Sequence, residues 1–334
     1  MISHRAEVEA PRLDRLLGEL APEVPRTRWT AWIAEGKVLV NGEPAFKAGQ
    51  KIKVGHLIET ELPTLAIPGF TAVPEAIELA TLFEDERLWV IDKPDDMVVH
   101  PAPGHPTGTV LNALLYRLGA RAEGAFHDEP LSPDEDEEVF PAPIWPGLVH
   151  RLDRHTTGCL VLTKDREAQL ALQAQFKERT VEKRYLALCR MSRKLPEIGS
   201  QLVDAPIARH RLERLKMTVN PEGRPAQTRV RLLSRGGGMA LVECELLTGR
   251  THQIRLHLAH LGAPLLGDPI YGGAGRWLDL ERQPIEAPYP FLHAWKLAID
   301  HPGDGRRLAL QAPIPERFRE AVRRLDMVLP PTGP

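Results

Sequence analysis

The chain has few cysteines, no long apolar run and no excess of positive charge, and each absence argues against a class of protein. The three cysteines, Cys159, Cys189 and Cys244, are far apart and each lies in an apolar segment. This argues against a disulfide framework and against a zinc site. No run approaches the roughly 18 consecutive apolar residues of a membrane helix, and the first residues form no apolar signal region. We therefore expect a soluble protein of the reducing cytoplasm, with no membrane partner.

A net charge of −2 is not typical of a nucleic-acid-binding protein, but the charges are unevenly distributed. Residues 128–138 contain seven acidic residues and no basic one, whereas residues 207–235 contain eight Arg or Lys and two Glu. The acidic segment predicts a disordered surface loop. The basic segment is ordinarily a solvated face, and it argues for a nucleic-acid partner only together with other signals.

The length of 334 residues fits two domains, one of them small. Leucines at helical spacing predict a helix over 12–20, and a second helix is expected over 26–35. Asn41-Gly42 marks a hairpin turn after a strand, and residues 51–61 supply further strand. The predicted organisation is therefore a module over 1–65, a Pro-rich linker over 66–77 and a second domain over 78–334, with an insertion near 121–146.

The second domain is predicted to contain many strands and few long helices. Apolar runs predict strands at 158–163, 182–189, 228–234 and 239–247, besides Leu88–Ile91. Helices are predicted at 107–118, 166–178, 251–261 and 315–326, with Thr251 as the N-cap of the third and Gly262 at its end. This pattern is typical of an α+β fold with a largely antiparallel mixed sheet.

Two dense polar clusters, each flanked by strand-like runs, predict one shared site. The first is His150-Arg151-Leu152-Asp153 and the second runs from Thr248 to His257. A surface turn with an ion pair is the ordinary interpretation of the first cluster alone. A kinase-like catalytic loop is disfavoured because the chain has no Gly-rich phosphate loop and no Asp-Phe-Gly element. The histidines do not share one helix face and no cysteine lies at ligand spacing, so we expect no metal.

The motifs of the chain resemble those of two known families. The first module is similar to the S4 RNA-binding domain through Arg12-Leu13-Asp14 and Val38-Leu39-Val40-Asn41-Gly42. The second domain resembles the RluA family of RNA pseudouridine synthases. Its motifs are Asp92-Lys93-Pro94, His150-Arg151-Leu152-Asp153 with Thr156-Thr157-Gly158, Lys183-Arg184-Tyr185, Gly249-Arg250-Thr251-His252-Gln253-Ile254-Arg255, and Leu266-Gly267-Asp268. The resemblance implies a catalytic domain whose sheet carries a central cleft, and no cofactor.

The resemblance also implies roles for particular residues. Asp153 is expected to be the catalytic carboxylate, Arg255 its bidentate ion-pair partner, and Tyr185 the residue that stacks on uracil. The residues expected to bind RNA are Arg151, Lys183, Arg12, Arg26, Arg28, Lys37, Arg209 and Arg211. The residues expected to support the site are His150, Thr157, Gly158, Arg250, His252 and Leu266.

Within that family the chain is most similar to the D-type synthases of large-subunit ribosomal RNA, through Val98-Val99-His100-Pro101 and Pro206-Ile207-Ala208-Arg209-His210. This similarity implies uridines in the helix 69 stem-loop of 23S rRNA as substrate, in free rRNA or in a pre-50S particle, and we expect a monomer. Asp95-Asp96 departs from the family, which has a small residue and Gly after Lys-Pro, and His155 replaces a common Asp. The alternative is a catalytically inert ribosome-assembly factor, which only the Asp95-Asp96 departure favours.

Overall fold

The computed structural model describes residues 2–6, 8–21, 26–61, 69–101, 105–119, 122–125, 147–210, 213, 216–272 and 275–331, with the backbone alone at 26–28, 31, 69–71 and 122–125. The chain divides into two units. The first contains Met1–Phe70 and Gly124–Ser132, and the second contains Thr71–Glu123 and Pro133–Pro334. The predicted domain boundaries stay predictions, and the acidic segment 128–138 lies outside the described residues.

The first unit combines two helices with a small sheet. Its elements are β1 (Ile2–Arg5), α1 (Leu13–Leu20), α2 (Arg26–Ala34), β2 (Val38–Val40), β3 (Glu43–Ala45) and β4 (Leu57–Thr60). The strands form an antiparallel sheet in the order β1-β4-β2-β3. Asn41 and Gly42 form the β2–β3 turn with φ of 55° and 81°, which a two-residue hairpin turn requires. Leu13 and Leu17 of the predicted helix pack with Trp29 in one buried core that includes residues of the sheet.

The second unit is built on a large sheet. Its elements are β6 (Ala80–Glu84), β7 (Leu88–Lys93), α3 (Val110–Leu118), β9 (Thr157–Thr163), α4 (Arg166–Glu178), β10 (Glu182–Arg190), β11 (Gln201–Asp204), β12 (Ile207–Arg209), β13 (Met217–Val219), β14 (Gln227–Gly236), β15 (Met239–Leu246), α5 (Gln253–His260), β16 (Trp277–Leu278), β17 (Pro284–Ile285), β18 (Leu292–Asp300), β19 (Arg307–Gln311) and α6 (Glu316–Arg324). Strands β5 (Gly69–Ala72) and β8 (Ala122–Ala125) lie where the chain passes between the two units.

Among the described residues this sheet has nine strands, in the order β11-β14-β15-β10-β18-β9-β7-β6, with β19 paired to β18. Every neighbouring pair is antiparallel except β18 and β9, which are parallel over His293–Thr157 and Ala294–Gly158. The predicted α+β fold with a largely antiparallel mixed sheet is confirmed.

The strand β18 was missed by the sequence analysis although it lies in the middle of the sheet. One of its edges pairs with β10, and the other pairs first with β9 and then with β19. Its residues are mostly Ala, Leu, His, Trp and Lys, and Ile299 is its one β-branched residue. Strand propensity is therefore low, and burial between neighbouring strands determines the conformation instead.

The predicted bounds of the helices differ in how well they agree with the structure. Helix α4 spans Arg166–Glu178, as predicted, because the Asp165 side chain accepts the N–H of Ala168 and caps its start. Helix α5 begins at Gln253, not at 251, and its N-cap is His252 rather than Thr251. His252 has a left-handed backbone with φ of 57°, so the prediction of a Thr251 cap was wrong.

Gly158 lies where the loop before β9 joins the large sheet of the second unit. It has φ of +111°, and a Cβ atom there would lie 2.2 Å from the carbonyl oxygen of Ala294. Beside it, Thr157 Oγ1 lies 2.8 Å from Nδ1 of the buried His293. The close approach of β9 to β18 thus requires glycine at this position, and it determines where the polar segment 150–156 enters the sheet.

Candidate active site

The segment that carries Asp153 is fixed to the sheet at its first residue, His150. The His150 side chain is buried, its Nε2 accepts the N–H of Val161 at 3.0 Å, and its ring stacks on Phe176 with centroids 4.8 Å apart. Burial, assisted by the nearby Lys183, lowers the pKa of His150 to about 3. His150 is therefore neutral at physiological pH, and it holds the start of the segment through a backbone group.

Lys93 fixes the same segment at its middle. The side chain is fully buried, and its Nζ donates hydrogen bonds to the carbonyl oxygens of Pro94 (2.8 Å), Met97 (2.8 Å) and Arg154 (2.9 Å). These three bonds use every proton of the ammonium group. Burial lowers the pKa of Lys93 to about 8, although the neighbouring carboxylates, Asp95 and Asp153 first, oppose the shift. The motif that the sequence analysis noted at Lys93 therefore joins the turn after β7 to the backbone next to Asp153.

Asp153 lies close to the side chains of Arg255 and His252. Its Oδ2 is 3.4 Å from Nη1 of Arg255 and 3.9 Å from Nε2 of His252. Burial raises the pKa of Asp153, but His252, Arg255 and Arg151 together outweigh that effect, so its pKa lies below the ordinary value. The carboxylate is therefore ionised at neutral pH, as either a nucleophile or a general base requires.

Arg255 makes its bidentate ion pair with Asp268, not with Asp153 as the sequence analysis expected. Nε and Nη2 of Arg255 donate to the two oxygens of Asp268 at 2.8 and 2.9 Å, whereas Asp153 receives the single contact at 3.4 Å. Asp268 is fully buried and Arg255 is 7% exposed. A buried arginine needs a buried carboxylate partner. The sequence signal for this one was an acidic residue at the end of the apolar run Pro264-Leu265-Leu266-Gly267.

The turn after Asp268 supports a second residue of the site. Asp268 Oδ1 also accepts the backbone N–H groups of Ile270 (2.9 Å) and Tyr271 (3.2 Å), so the turn wraps around the carboxylate. The Tyr271 ring lies 5.4 Å from the Arg255 guanidinium, and its hydroxyl lies 2.9 Å from Nδ1 of His252. The sequence analysis missed Tyr271, which no motif had singled out.

Helix α5 is fastened to the sheet by two buried polar side chains. Gln253 Nε2 donates to the carbonyl oxygen of Gln227 and to Thr228 Oγ1, and its Oε1 accepts from Thr248 Oγ1 at 2.8 Å. One turn later, His257 lies between Thr228 Oγ1 and the carbonyl oxygen of Ala205, each at 2.9 Å. These contacts account for the polar residues on the buried face of the helix, and they fix the direction in which Arg255 points.

A cavity separates the Asp153 segment from the start of α5, and Tyr185 of β10 forms part of its wall. Tyr185 is 8% exposed, so one part of its ring reaches the cavity while the rest is packed. The lining residues come from both polar clusters and from three strands: His150, Arg151, Leu152, Asp153, Thr156, Tyr185, Leu246, Gly249, Arg250, Thr251, His252, Gln253, Ile254, Arg255 and Leu292. The two clusters that the sequence separates by about a hundred residues therefore meet in one site.

The turn Asp95-Asp96 has a backbone conformation that suits glycine at its second position. Asp96 adopts the left-handed conformation with φ of 60°, which a glycine adopts most readily and Asp tolerates. Asp95 Oδ1 lies 3.0 Å from Nδ1 of His155, whose ring stacks on Tyr289 with centroids 3.7 Å apart. Asp96 pairs with Arg154 at 2.7 Å. The two departures noted in the sequence thus contact each other, and they leave the Asp153 segment in place.

Two sequence profiles match the chain at the regions just described. The profile described as RNA pseudouridylate synthase matches residues 87–260, which include Asp153, Tyr185 and helix α5. The profile described as S4 domain matches residues 11–58, within the first unit. The chain belongs to the RNA pseudouridylate synthase family. It is an isomerase that acts on RNA and carries an S4 domain, so the alternative of an inert assembly factor is not supported.

Whole-length comparisons agree with the profiles. The synthase is 37% identical over 324 residues to a Xanthomonas campestris protein named ribosomal large subunit pseudouridine synthase D, covering 94% of this chain and 88% of that protein. A Nitrosomonas europaea protein of the same name is 40% identical over 322 residues, with coverages of 94% and 85%. Among solved structures, human RNA pseudouridylate synthase domain containing 4 is 26% identical with a TM-score of 0.53, covering 75% of this chain and 95% of that one.

The residues of the synthase that were expected to bind RNA lie in different environments. Arg151 is exposed at the mouth of the cavity, and Arg209 is exposed at the end of β12. In the S4 domain, Arg12 forms a bidentate pair with Asp14, and Lys37 lies 4.0 Å from the centroid of the Trp32 ring. The side chains of Arg26 and Arg28, and the whole of Arg211, lie outside the described residues.

Lys183 is the exception among these expected RNA contacts. It is 6% exposed, and its Nζ lies 5.5 Å from the centroid of the Phe176 ring, beneath the surface and beside His150. Lys183 shares a face of β10 with Tyr185, since alternate residues of a strand point to the same side, and Phe176 of α4 packs against it there. The structure therefore corrects the expectation of an RNA contact at Lys183.

The remaining expected support residues are packed around the site. Leu266 is fully buried in the core cluster that includes Phe291 and Trp295, and Arg250 Nε donates to the carbonyl oxygen of Pro225 at 3.3 Å.

Within the described ranges, no group of three or more His, Cys, Asp and Glu side chains is arranged to hold a metal ion. In the same residues, no helix has both the length and the apolar content to cross a membrane.

Proposed function

We propose that this synthase converts uridines of large-subunit ribosomal RNA to pseudouridine and that Asp153 is its catalytic carboxylate. The observation that carries the proposal is the placement of Asp153, ionised beside Arg255 and His252, in a cavity that Tyr185 also lines. Relatives that align with the chain over nearly their whole length bear the name ribosomal large subunit pseudouridine synthase D. The substrate class in this proposal is taken from them.

The reaction is an isomerisation without an external reactant. The bond between C1′ and N1 breaks, the detached uracil turns, and C1′ bonds to C5, while the hydrogen on C5 leaves and N1 gains one. Asp153 acts either by attacking C1′ of the ribose or by removing a ribose proton, and both routes require the ionised carboxylate that the neighbouring cations favour. Tyr185 lies at the wall of the same cavity, where its ring would stack on the detached uracil and its phenol would relay the C5 proton.

The target nucleotide must leave its stack before C1′ can reach Asp153. Arg151 is exposed next to Asp153 and lines the cavity mouth, so it is positioned to fill the space that the flipped uridine vacates or to contact a phosphate. The S4 domain and the basic segment with Arg209 supply further contacts to a folded stem. We infer uridines of the helix 69 stem-loop as targets, in free rRNA or a pre-50S particle, and a cytoplasmic monomer that needs no cofactor.

Tritium release from [5-³H]uridine-labelled 23S rRNA, measured with EDTA present, tests the proposal. Wild-type protein should release tritium, and Asp153→Asn, which keeps the shape but not the charge, should lose at least about 1,000-fold in rate. Asp304→Asn, at an exposed aspartate, is the matched control and should retain wild-type activity. Position mapping of the product then identifies the uridine.

An absence of release by the wild type, on both free rRNA and immature large subunits, would overturn the substrate assignment. Release by Asp153→Asn at the wild-type rate would overturn the role of Asp153 while leaving the activity standing. Activity that is present without EDTA and lost when EDTA is added would contradict the expectation of a metal-free reaction.

A further inference from the structure

The Tyr271 hydroxyl joins two segments that the proposed mechanism does not connect. Its oxygen accepts the backbone N–H of Met217 at 2.9 Å, and on its other side it lies 2.9 Å from Nδ1 of His252. The Tyr271 ring packs against a small apolar cluster that contains Met217, Ile207 and Leu256. The hydroxyl is therefore held by two fixed neighbours and by the packing of its own ring.

The Tyr271 contact favours one position for the hydrogen of the neutral His252 ring. A phenol whose oxygen accepts from Met217 still has its own hydrogen to donate, and donation to Nδ1 of His252 would leave the hydrogen of the neutral imidazole on Nε2. Nε2 faces the cavity, 3.9 Å from Asp153 Oδ2. The left-handed backbone of His252, with φ of 57° and no capping bond from its side chain, is the conformation that turns the ring this way.

The other end of this chain of contacts lies in the basic segment. Met217 begins β13, which pairs with β12 over Ile207–Arg209. The connection between the two strands contains Lys216, which pairs with Glu213. Arg209, at the end of β12, is one of the cations inferred to contact RNA, so the N–H that holds the Tyr271 hydroxyl belongs to the same hairpin as an inferred RNA contact.

We propose that Tyr271 and His252 form a hydrogen-bond relay that couples the β12–β13 hairpin to Asp153. Tyr271 keeps His252 in the tautomer with hydrogen on Nε2, and His252 directs that N–H at the Asp153 carboxylate. The 3.9 Å separation in the free enzyme shortens to a hydrogen bond when the hairpin engages RNA. Both are positioning residues, and the relay rests on the proposed function because its effect on rate requires Asp153 to act on RNA.

The first test reads the tautomer directly in the full-length protein without RNA. ¹⁵N spectra of histidine-labelled wild type should show His252, assigned by its loss in His252→Gln, with hydrogen on Nε2. Tyr271→Phe removes the hydroxyl and keeps the ring, so its His252 signals should move towards a mixture of tautomers. Tyr116→Phe removes the hydroxyl of an exposed tyrosine and should change nothing. Identical His252 shifts in wild type and Tyr271→Phe would overturn the relay.

The second test is a double-mutant cycle on tritium release. Tyr271→Phe and His252→Gln should each lower kcat by about 10- to 100-fold with little change in KM for RNA. The double variant should be no slower than His252→Gln alone, because both changes interrupt one pathway. Losses that multiply would overturn the relay. If wild-type protein releases no tritium, the proposed function fails, and the tautomer measurement still decides whether Tyr271 controls His252.

Discussion

The two segments that meet at Asp153 are held in place by different physical means. The segment from His150 to Thr156 is held through backbone groups, by a neutral histidine and by the buried ammonium of Lys93. The Arg255 side chain, which α5 presents to Asp153, is held through a fully buried carboxylate, Asp268. The first arrangement spreads the support over several hydrogen bonds. In the second, Gln253 and His257 bond the helix to the sheet, but the charged side chain depends on one buried ion pair, and removing a single partner of such a pair is strongly destabilising.

The largest effect is therefore expected from Asp268→Asn. The substitution keeps the shape of the side chain but leaves the Arg255 guanidinium buried without a counter-charge from the turn. We expect the free energy of unfolding to fall by about 3–5 kcal/mol and tritium release to fall with it. Urea denaturation followed by circular dichroism, together with the release assay on the folded fraction, measures both quantities.

Glu245→Gln is the matched control for Asp268→Asn. Glu245 pairs with Arg229 near the surface, with side chains 26% and 47% exposed, so its loss should cost less than about 1 kcal/mol. Equal shifts of the denaturation midpoint in the two variants would contradict the contrast between the two segments.

A smaller effect is expected at His150, and it depends on pH. The pKa of His150 is about 3 in the folded protein and about 6.5 in the unfolded chain. Between these values the unfolded state binds a proton that the folded state excludes, so stability is full above pH 6.5 and falls as the pH drops towards 3. The slope from this residue is at most about 1.4 kcal/mol per pH unit.

His150→Gln should reduce that slope between pH 6 and pH 4, because glutamine does not titrate. Urea denaturation at a series of pH values measures the slope, and His260→Gln, at an exposed position, serves as the control. A slope that His150→Gln leaves unchanged would show that the pKa of His150 is the same in the folded and unfolded states, which would contradict a buried, neutral His150.

The smallest effect separates two cations of the sequence motifs that were both expected to bind RNA. Arg151 is exposed and Lys183 is buried. Arg151→Ala should weaken RNA binding by about 1 kcal/mol and reduce the salt dependence of the binding constant by about one phosphate contact. Lys183→Met should leave both quantities unchanged. Filter binding at several salt concentrations tests the pair, and a reduced salt dependence in Lys183→Met would restore Lys183 as an RNA contact.

What the sequence predicted well was local. The predicted bounds of α4 agree with a helix that its own neighbour Asp165 caps, and the β2–β3 hairpin followed from Asn41-Gly42. The two polar clusters were expected to share a site, and they line one cavity. For the helix and the hairpin, the decisive interactions lie within a few residues of one another. For the shared site, the motifs are long enough to identify their family.

What the sequence did not predict depends on distant contacts. The pairing of Arg255 with Asp268 is decided by the turn that follows α5, and the burial of Lys183 is decided by Phe176 on a different element. Strand β18 has weak intrinsic strand propensity and is recognisable only when its neighbours in the sheet are known. The Tyr271 contact to His252 spans nineteen residues and belongs to no motif.

The position of β18 has a consequence for how the protein is made. The strand that separates β10 from β9, and pairs with Thr157 at the end of the Asp153 segment, is encoded at residues 292–300. During synthesis the N-terminus leaves the ribosome first, so the S4 domain can fold early. The central sheet must wait until nearly the whole chain has emerged, and its long-range pairing is slow to form. The nascent enzyme therefore completes its RNA-binding module well before it has a catalytic site.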